Sequence, residues 1–206
     1  MPKPSYREKI LSEGLRVVHE RGFGSASVRD IVKAAGATLG SFTNHFASKE
    51  AFALEVIDLY FVSGRETMRR TLLNEELPPL VRLRNYFAAN KAHLNESNAR
   101  NGCLYGNFTA EASDHPAIRE RILAIFAEVQ SSFASALKAA VQSGDAPADL
   151  DCDETAAFLV TAMQGANLLT KINRNVTTVD RVEKILFEQI LHQSLSQQNP
   201  MPPPQE

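Results

Sequence analysis

Residues 27–46, SVRDIVKAAGATLGSFTNHF, carry the signals of two short helices joined by a tight turn. Ser27 and Asp30 have the spacing of a capping box, in which each side chain accepts a hydrogen bond from a backbone N–H of the first turn. Gly36 can end this first helix, because glycine adopts the left-handed C′ conformation without a Cβ clash. Thr38 can cap the second helix. So short a connection allows only a sharp turn, and the segment therefore predicts a helix-turn-helix.

The second of these helices carries polar side chains where a buried helix would carry aliphatic ones. They are Thr38, Ser41, Thr43, Asn44 and His45. Hydroxyl, amide and imidazole groups suit hydrogen bonds to phosphates and base edges, so the pattern favours DNA binding. From these residues alone, an ordinary helix pair with a polar surface is an equally good interpretation.

The longer segment GFGSASVRDIVKAAGATLGSFTNHFASKEAF resembles the N-terminal DNA-binding domain of the TetR family of transcriptional regulators. The resemblance covers roughly residues 5–60. The matching residues are Gly22, Phe23, Ser27, Val28, residues 31–36, Gly40, Phe42, His45, Phe46, Ser48, Lys49 and Glu50. One position departs from the family: an aromatic residue, often tyrosine, usually contacts a phosphate where this chain has Thr43, whose reach is shorter.

The resemblance implies an all-α fold, with a three-helix head that binds double-stranded DNA and a body of about six helices. It also implies a homodimer held by the last two helices of each subunit, and release from a palindromic operator by a small-molecule inducer. Ser27 and Arg29 are then expected to contact the DNA backbone. The expected base-reading residues are Thr38, Leu39 and Ser41. The expected mixed or phosphate contacts are Thr43, Asn44, His45 and Lys49.

Composition fits a soluble globular protein: of 206 residues, 44% are hydrophobic and 22% charged. No apolar run reaches the ~18 residues of a membrane span. The N-terminus MPKPSYREKI lacks the apolar core of a signal peptide, so we expect a cytoplasmic protein without a membrane partner. Cys103 and Cys152 form no disulfide framework or metal motif. No nucleophile elbow, phosphate loop or pair of catalytic carboxylates is present, so we expect neither enzymatic activity nor a cofactor.

Charge is distributed unevenly along the chain. Residues 1–50 contain eight Lys and Arg and five Asp and Glu, a net of +3 within a chain whose total is −2. The remaining residues therefore carry −5. A basic head on an acidic body is what DNA binding requires, although a difference of this size is weak support by itself.

The rest of the chain shows the periodicity of helices and no alternation typical of strands. Further helices are predicted at residues 6–21, 49–70, 79–94, 103–112, 116–143, 151–172 and 179–195. The domain prediction is a DNA-binding head over residues 1–47 and a ligand-binding and dimerisation body over residues 48–195. Residues 196–206, with four prolines, are predicted to be a disordered tail.

The body helices mix apolar bulk with hydrogen-bonding groups, which is typical of a small-molecule pocket. The candidate lining residues are Tyr86, Asn90, Cys103, Asn107, Phe108, Glu111, Phe126, Met163, Gln164 and Asn167. Each has an alternative interpretation as an ordinary core residue, because folding alone demands buried aromatics and methionines.

Cys103 follows Asn101 and Gly102 at a predicted helix start, where free N–H groups and the helix dipole lower a thiol pKa. The NGCL stretch also resembles a TetR branch that controls enzymes reducing reactive electrophiles. We therefore consider Cys103 a candidate redox or electrophile sensor. The alternative is a buried, unreactive thiol.

The sequence thus predicts a DNA-binding transcriptional regulator, and the resemblance favours a repressor over an activator. The alternative is a helical small-molecule-binding protein whose head does not read DNA, supported only by Thr43. A purely structural helical dimer is a third interpretation. Residue types leave the operator sequence, the inducer and the regulated genes open.

Overall fold

The computed structural model describes residues 5–96, 99–109 and 114–192, and within these ranges it contains helices and no strand. The all-α prediction is therefore confirmed for the described residues. The helices are α1 Tyr6–Arg21, α2 Val28–Ala34, α3 Leu39–His45, α4 Lys49–Arg70, α5 Pro79–Glu96, α6 Leu104–Phe108, α7 Pro116–Gln142, α8 Cys152–Asn173 and α9 Thr177–Lys184. The predicted tail over residues 196–206 lies outside the described residues.

Two helix predictions need correction. Helix α6 has five residues and ends at Phe108, with Cys103 at its N-cap. The last helix has Val176 at its N-cap in place of a threonine, and it continues from α9 as a π-helix over Ile185–Ile190. Thr178 is not a cap because its hydroxyl donates to the Ala166 carbonyl at 3.0 Å, which ties α9 to α8.

The predicted turn between α2 and α3 has the expected chemistry. Ser27 and Asp30 form a capping box at the start of α2. Gly36 has a φ of +61°, and its N–H donates to the Lys33 carbonyl at 3.2 Å. The N–H of Ala37 donates to the Val32 carbonyl at 2.8 Å, which completes a Schellman motif. Thr38 then caps α3, so the polar side of that helix is held at a fixed angle to α2.

The head and the body share one long helix. The N-terminal part of α4 places Phe52 in the head core, with its ring 5.4 Å from that of Phe42 and 5.1 Å from that of Phe46. Farther along α4, Phe61 and Met68 are buried in the body. Since both ends of this helix are packed, a displacement of α4 in the body must reach the head.

Helix α7 is long and apolar enough, by length and composition, to cross a membrane. Its apolar side nevertheless packs into the body, where Ile118, Ile125, Phe133 and Leu137 are almost completely buried. It makes its most extensive contacts with α8, beside α4 and α5. These are the properties of a core helix.

Gly14 permits the close approach of α1 to α4. A Cβ at this position would lie 2.3 Å from Cζ of Phe52 and 3.0 Å from Cγ2 of Ile31, both fully buried. We therefore expect Gly14→Ala to lower the free energy of unfolding by about 1–3 kcal/mol, through overpacking. Urea denaturation of the purified variant would measure this.

Gly40→Ala is the matched control, because Gly40 also lies within a head helix and its Cβ would approach nothing closer than 3.8 Å. It should leave stability unchanged or raise it by about 0.5–1 kcal/mol. Equal stability of the two variants would contradict the close-packing argument.

Candidate DNA-binding surface and effector cavity

The outer face of α3 presents the residues that the sequence suggested for DNA. Thr38, Leu39, Thr43, Asn44 and His45 are exposed, and Ser41 is half-buried. Ser27 and Arg29, at the start of α2, are also exposed. Leu39 is 45% exposed, so its side chain is accessible for an apolar contact with a thymine methyl group.

Local hydrogen bonds hold the hydroxyl groups of α3 in place. Oγ1 of Thr38 accepts from the Ser41 N–H at 3.1 Å and lies 3.0 Å from Oγ of Ser41. Oγ1 of Thr43 donates to the Gly40 carbonyl at 3.1 Å. Because a hydroxyl has one donor and two acceptor positions, each can still accept or donate elsewhere. Thr38 therefore combines a structural role as N-cap with its position on the exposed face.

Lys49 has a structural partner that the sequence did not indicate. Its Nζ donates to the Phe23 carbonyl at 2.7 Å and lies 4.3 Å from the centroid of the Phe23 ring. The ammonium group is thus fixed at the junction of the α1–α2 turn with α4. A substitution of Lys49 would disturb this junction as well as any contact with phosphate.

Arg29 and Lys33 place exposed positive charge on α2. Arg7, Arg16 and Arg21 each pair with a carboxylate. Among the described residues, no carboxylate lies within 4 Å of Arg29 or Lys33, which are both exposed. They are four residues apart and so share one face of α2. Lys33 was not among the predicted contacts, although its spacing from Arg29 was visible in the sequence.

The body contains a partly open cavity of about 490 Å³ between α1, α4, α5, α7, α8 and the start of α6. Seven of the ten residues suggested for a ligand pocket line it. They are Tyr86, Asn90, Cys103, Phe126, Met163, Gln164 and Asn167. Among the further lining residues are His19, Tyr60, Phe61, His93, Tyr105 and Phe133, which the sequence analysis did not select.

Two of the other three suggested residues lie elsewhere and require correction, and the structure does not describe the third. Phe108 does not line the cavity; it is fully buried and stacks on Phe23, with ring centroids 5.2 Å apart. Asn107 does not line it either, since its Nδ2 donates to the carbonyls of His19 and Asn101, each at 3.1 Å. Glu111 lies outside the described residues.

Helix α1 of the head forms part of the cavity wall, which the sequence analysis missed. Ser12, Leu15 and His19 follow one side of this helix at spacings of three and four residues. The Nε2–H of His19 donates to the Gly102 carbonyl at 3.0 Å. Asn107 continues this connection, because its Oδ1 accepts from Nζ of Lys171 on α8 at 2.9 Å.

Burial keeps three phenols and one histidine of the cavity wall in their uncharged forms. Burial raises the pKa of Tyr60, Tyr86 and Tyr105 far above the physiological range. Burial likewise lowers the pKa of His19, against the opposing effect of its hydrogen bond to Gly102. The hydroxyl of Tyr60 lies 3.0 Å from Nε2 of His93, which gives this part of the wall an internal hydrogen bond.

Cys103 does not have the lowered pKa that its position at a helix start predicted. Burial raises the pKa of its thiol and outweighs the opposing effect of the N–H groups of Gly106 and Tyr105 and of the Gln164 side chain. The helix that begins there has only five residues, so its dipole is small. Cys103 is therefore a neutral thiol in the cavity wall.

No group of three or more His, Cys, Asp or Glu side chains that could hold a metal ion occurs in the described part of the chain.

A three-helix head with an exposed polar helix, carried on a helical body with an internal cavity, defines a helix-turn-helix transcriptional regulator. Residues 10–56 match the family described as bacterial regulatory proteins, tetR family, and residues 79–186 match the tetracyclin repressor-like C-terminal domain. The chain belongs to the TetR family, whose members are transcriptional regulators.

Relatives with assigned names include two regulators. The transcriptional repressor DhaR of Mycobacterium sp. strain GP1 is 36% identical over 93% of this chain and 95% of its own length. The transcriptional regulator AcuR of Cereibacter sphaeroides is 29% identical over 80% of this chain and 76% of its own length.

Solved structures show the same fold. A regulatory protein TetR from Rhodobacter sphaeroides aligns with a TM-score of 0.82 and 27% identity, over 87% of this chain and 95% of the other. The reduced form of Escherichia coli NemR aligns with a TM-score of 0.75 and 24% identity, over 86% and 92%.

The raised pKa of Cys103 leads to a measurable expectation. At neutral pH, iodoacetamide should alkylate Cys103 more slowly in the folded protein than in the denatured protein, because the thiolate is the nucleophile. Mass spectrometry of peptides over a time course would follow both cysteines. Cys152 provides an internal comparison, since burial also raises its pKa. Faster labelling of Cys103 in the folded protein would restore the sensor hypothesis.

Proposed function

We propose that this protein is a homodimeric repressor that binds a palindromic operator and is released when a small molecule enters the cavity. The observation that carries the proposal is the composition of the cavity wall. Helix α1 of the head and helix α4, which enters the head core, both line the cavity. A ligand there contacts the same two helices that support α3.

The DNA-binding surface in this proposal consists of the exposed face of α3 and the start of α2. Arg29 supplies charge to the DNA backbone, joined by Lys33 four residues later. Thr38, Leu39 and Ser41 contact base edges, while Thr43, Asn44, His45 and Ser27 contact phosphates or bases. Lys49 is a weaker candidate because Phe23 already holds its ammonium group.

Dimer formation is supported by an apolar stripe on α8. Phe158, Leu168, Leu169 and Ile172 are 45–67% exposed, although they are large and apolar. With 100° per residue they fall within an arc of about 100° on the helix. Gly165 lies in the same arc and would let a second helix approach closely. Exposed apolar stripes of this kind mark protein–protein contacts.

Release of DNA requires the ligand to prefer one of two arrangements of the dimer. We propose that the ligand displaces α1 and α4 relative to α5, α7 and α8. The hydrogen bonds from His19 to Gly102 and from Asn107 to His19 would transmit that displacement, because both join α1 to the segment around α6. The distance between the two recognition helices would then no longer match the operator.

Regulators of this family are soluble DNA-binding proteins, and we propose that this one acts in the cytoplasm. Ligand binding by a protein whose head does not read DNA remains the alternative. The short Thr43 side chain is its sole support, since the rest of the α3 surface is polar and accessible. Retained ligand binding without sequence-specific DNA binding would favour that alternative.

The DNA-binding assignment can be tested with two variants that should behave differently. Arg29→Gln should weaken binding to operator and to unrelated DNA in the same proportion, and should reduce the slope of log affinity against log salt by about 1. Ser41→Ala should change the ranking of operator variants. Fluorescence anisotropy with DNA from upstream of the protein's own gene, at two salt concentrations, would measure both.

Arg69→Gln is the control for these variants, because Arg69 lies at the far end of α4 and is 71% exposed there. It should leave operator affinity unchanged. Uniform losses for Arg29→Gln and Ser41→Ala on all sequences would argue against base reading by α3.

The proposed dimer interface makes a second prediction. Leu168→Glu should shift the protein from dimer to monomer, because a carboxylate would be buried in an apolar contact. Sedimentation velocity would report the change, and operator affinity should fall with it. Leu123→Glu is the matched control, since Leu123 is 59% exposed on α7, compared with 60% for Leu168. Monomer formation by both variants, or by neither, would reject the α8 interface.

A further inference from the structure

Three buried side-chain oxygens at the cavity have no hydrogen-bond partner among the described residues. They are Oδ1 of Asn90, the hydroxyl of Tyr105 and Oδ1 of Asn167. Tyr105 is only 7% exposed and Asn167 only 5%. A buried polar group without a partner destabilises a fold, so three such groups around one cavity indicate a site built for a hydrogen-bonding ligand.

The chemistry of these oxygens restricts that ligand. The two amide oxygens can only accept hydrogen bonds, so they require N–H or O–H donors. The phenol of Tyr105 can donate, so it suits a carbonyl or hydroxyl oxygen. Around these groups the wall is apolar, with Phe126, Val129 and Met163 among its residues. The ligand must therefore combine an apolar part with both a donor and an acceptor.

The described cavity lining also lacks permanently charged side chains. It contains no Asp, Glu, Lys or Arg among the described residues. Burial keeps the Cys103 thiol and the three phenols protonated, and His19 neutral, by the pKa shifts given above. An ammonium or carboxylate entering this space would lose hydration without gaining a permanently charged partner, which is strongly unfavourable.

We propose that the cavity selects small uncharged molecules that carry both a hydrogen-bond donor and an acceptor, such as primary carboxamides, over charged molecules of the same shape. Asn90 and Asn167 accept from the donors, and Tyr105 donates to the acceptor. This inference rests on the proposed effector role of the cavity, and it names the ligand class. Binding is reversible and non-covalent, so it does not involve the thiol of Cys103.

Isosteric pairs test whether the cavity prefers a neutral molecule with hydrogen-bond donors over an anion without them. Benzamide and benzoate have the same shape, as do butyramide and butyrate, and in each pair only the amide is neutral and carries N–H donors. Calorimetric titration of the full-length protein at neutral pH should show each amide binding at least about tenfold more tightly than its carboxylate. Binding of a carboxylate as tight as that of its amide, or binding of neither amide at millimolar concentration, overturns the proposal.

Two variants test the hydrogen bonds. Tyr105→Phe removes only an unpaired hydroxyl, so the protein should fold normally while binding benzamide about three- to tenfold more weakly. Asn167→Leu should have a similar effect, because the apolar side chain has nearly the same size. Toluene, which has neither donor nor acceptor, should bind Tyr105→Phe as well as it binds the unmodified protein. Unchanged benzamide affinity in both variants would overturn the assignment.

Tyr6→Phe is the control, since Tyr6 is 58% exposed and does not line the cavity. Operator binding measured in the presence of benzamide separates this inference from the proposed function. Selective amide binding that leaves the operator complex intact supports the ligand class and rejects the effector role. Loss of operator binding without a preference for amides supports the effector role and rejects the ligand class.

Discussion

Burial of α4 at both of its ends is the constraint on which the rest of the structure depends. Phe52 packs against Phe42 and Phe46 in the head, while Phe61 and Met68 are buried in the body. Interiors packed at crystal density transmit displacement instead of absorbing it. A displacement of α4 in the body is therefore expected to move the head residues that pack on Phe52. The hydrogen bonds of His19 and Asn107 add a second connection through α1.

The cavity beside α4 is unusual in being both neutral and polar. Asp, Glu, Lys and Arg are absent from its described lining, yet amide, hydroxyl and imidazole groups are present. Burial that keeps phenols and a thiol protonated also strengthens each hydrogen bond they can make, because the local dielectric constant is low. The resulting selectivity is opposite to that of a site built on an arginine or lysine, which would attract anions from a distance.

Local signals predicted the head well because its structure is determined locally. Ser27, Asp30, Gly36 and Thr38 fix two helix ends and a turn through contacts within a few residues. The features that could not be predicted from the sequence depend on contacts between residues distant in the chain. Phe23 holds both Lys49 and Phe108, and Asn107 joins segments more than sixty residues apart. The Cys103 pKa was mispredicted for the same reason, since burial by distant helices outweighed the local helix start.

Because α1 forms part of the cavity wall, substitutions in one part of the wall affect DNA binding and substitutions in the other part do not. Ser12, Leu15 and His19 belong to the helix that supports α3, so changes there alter DNA binding together with ligand binding. Asn90 on α5 and Asn167 on α8 lie on helices that do not enter the head. Related regulators can therefore acquire new ligands by substitutions on the α5 and α8 walls while their operators stay the same.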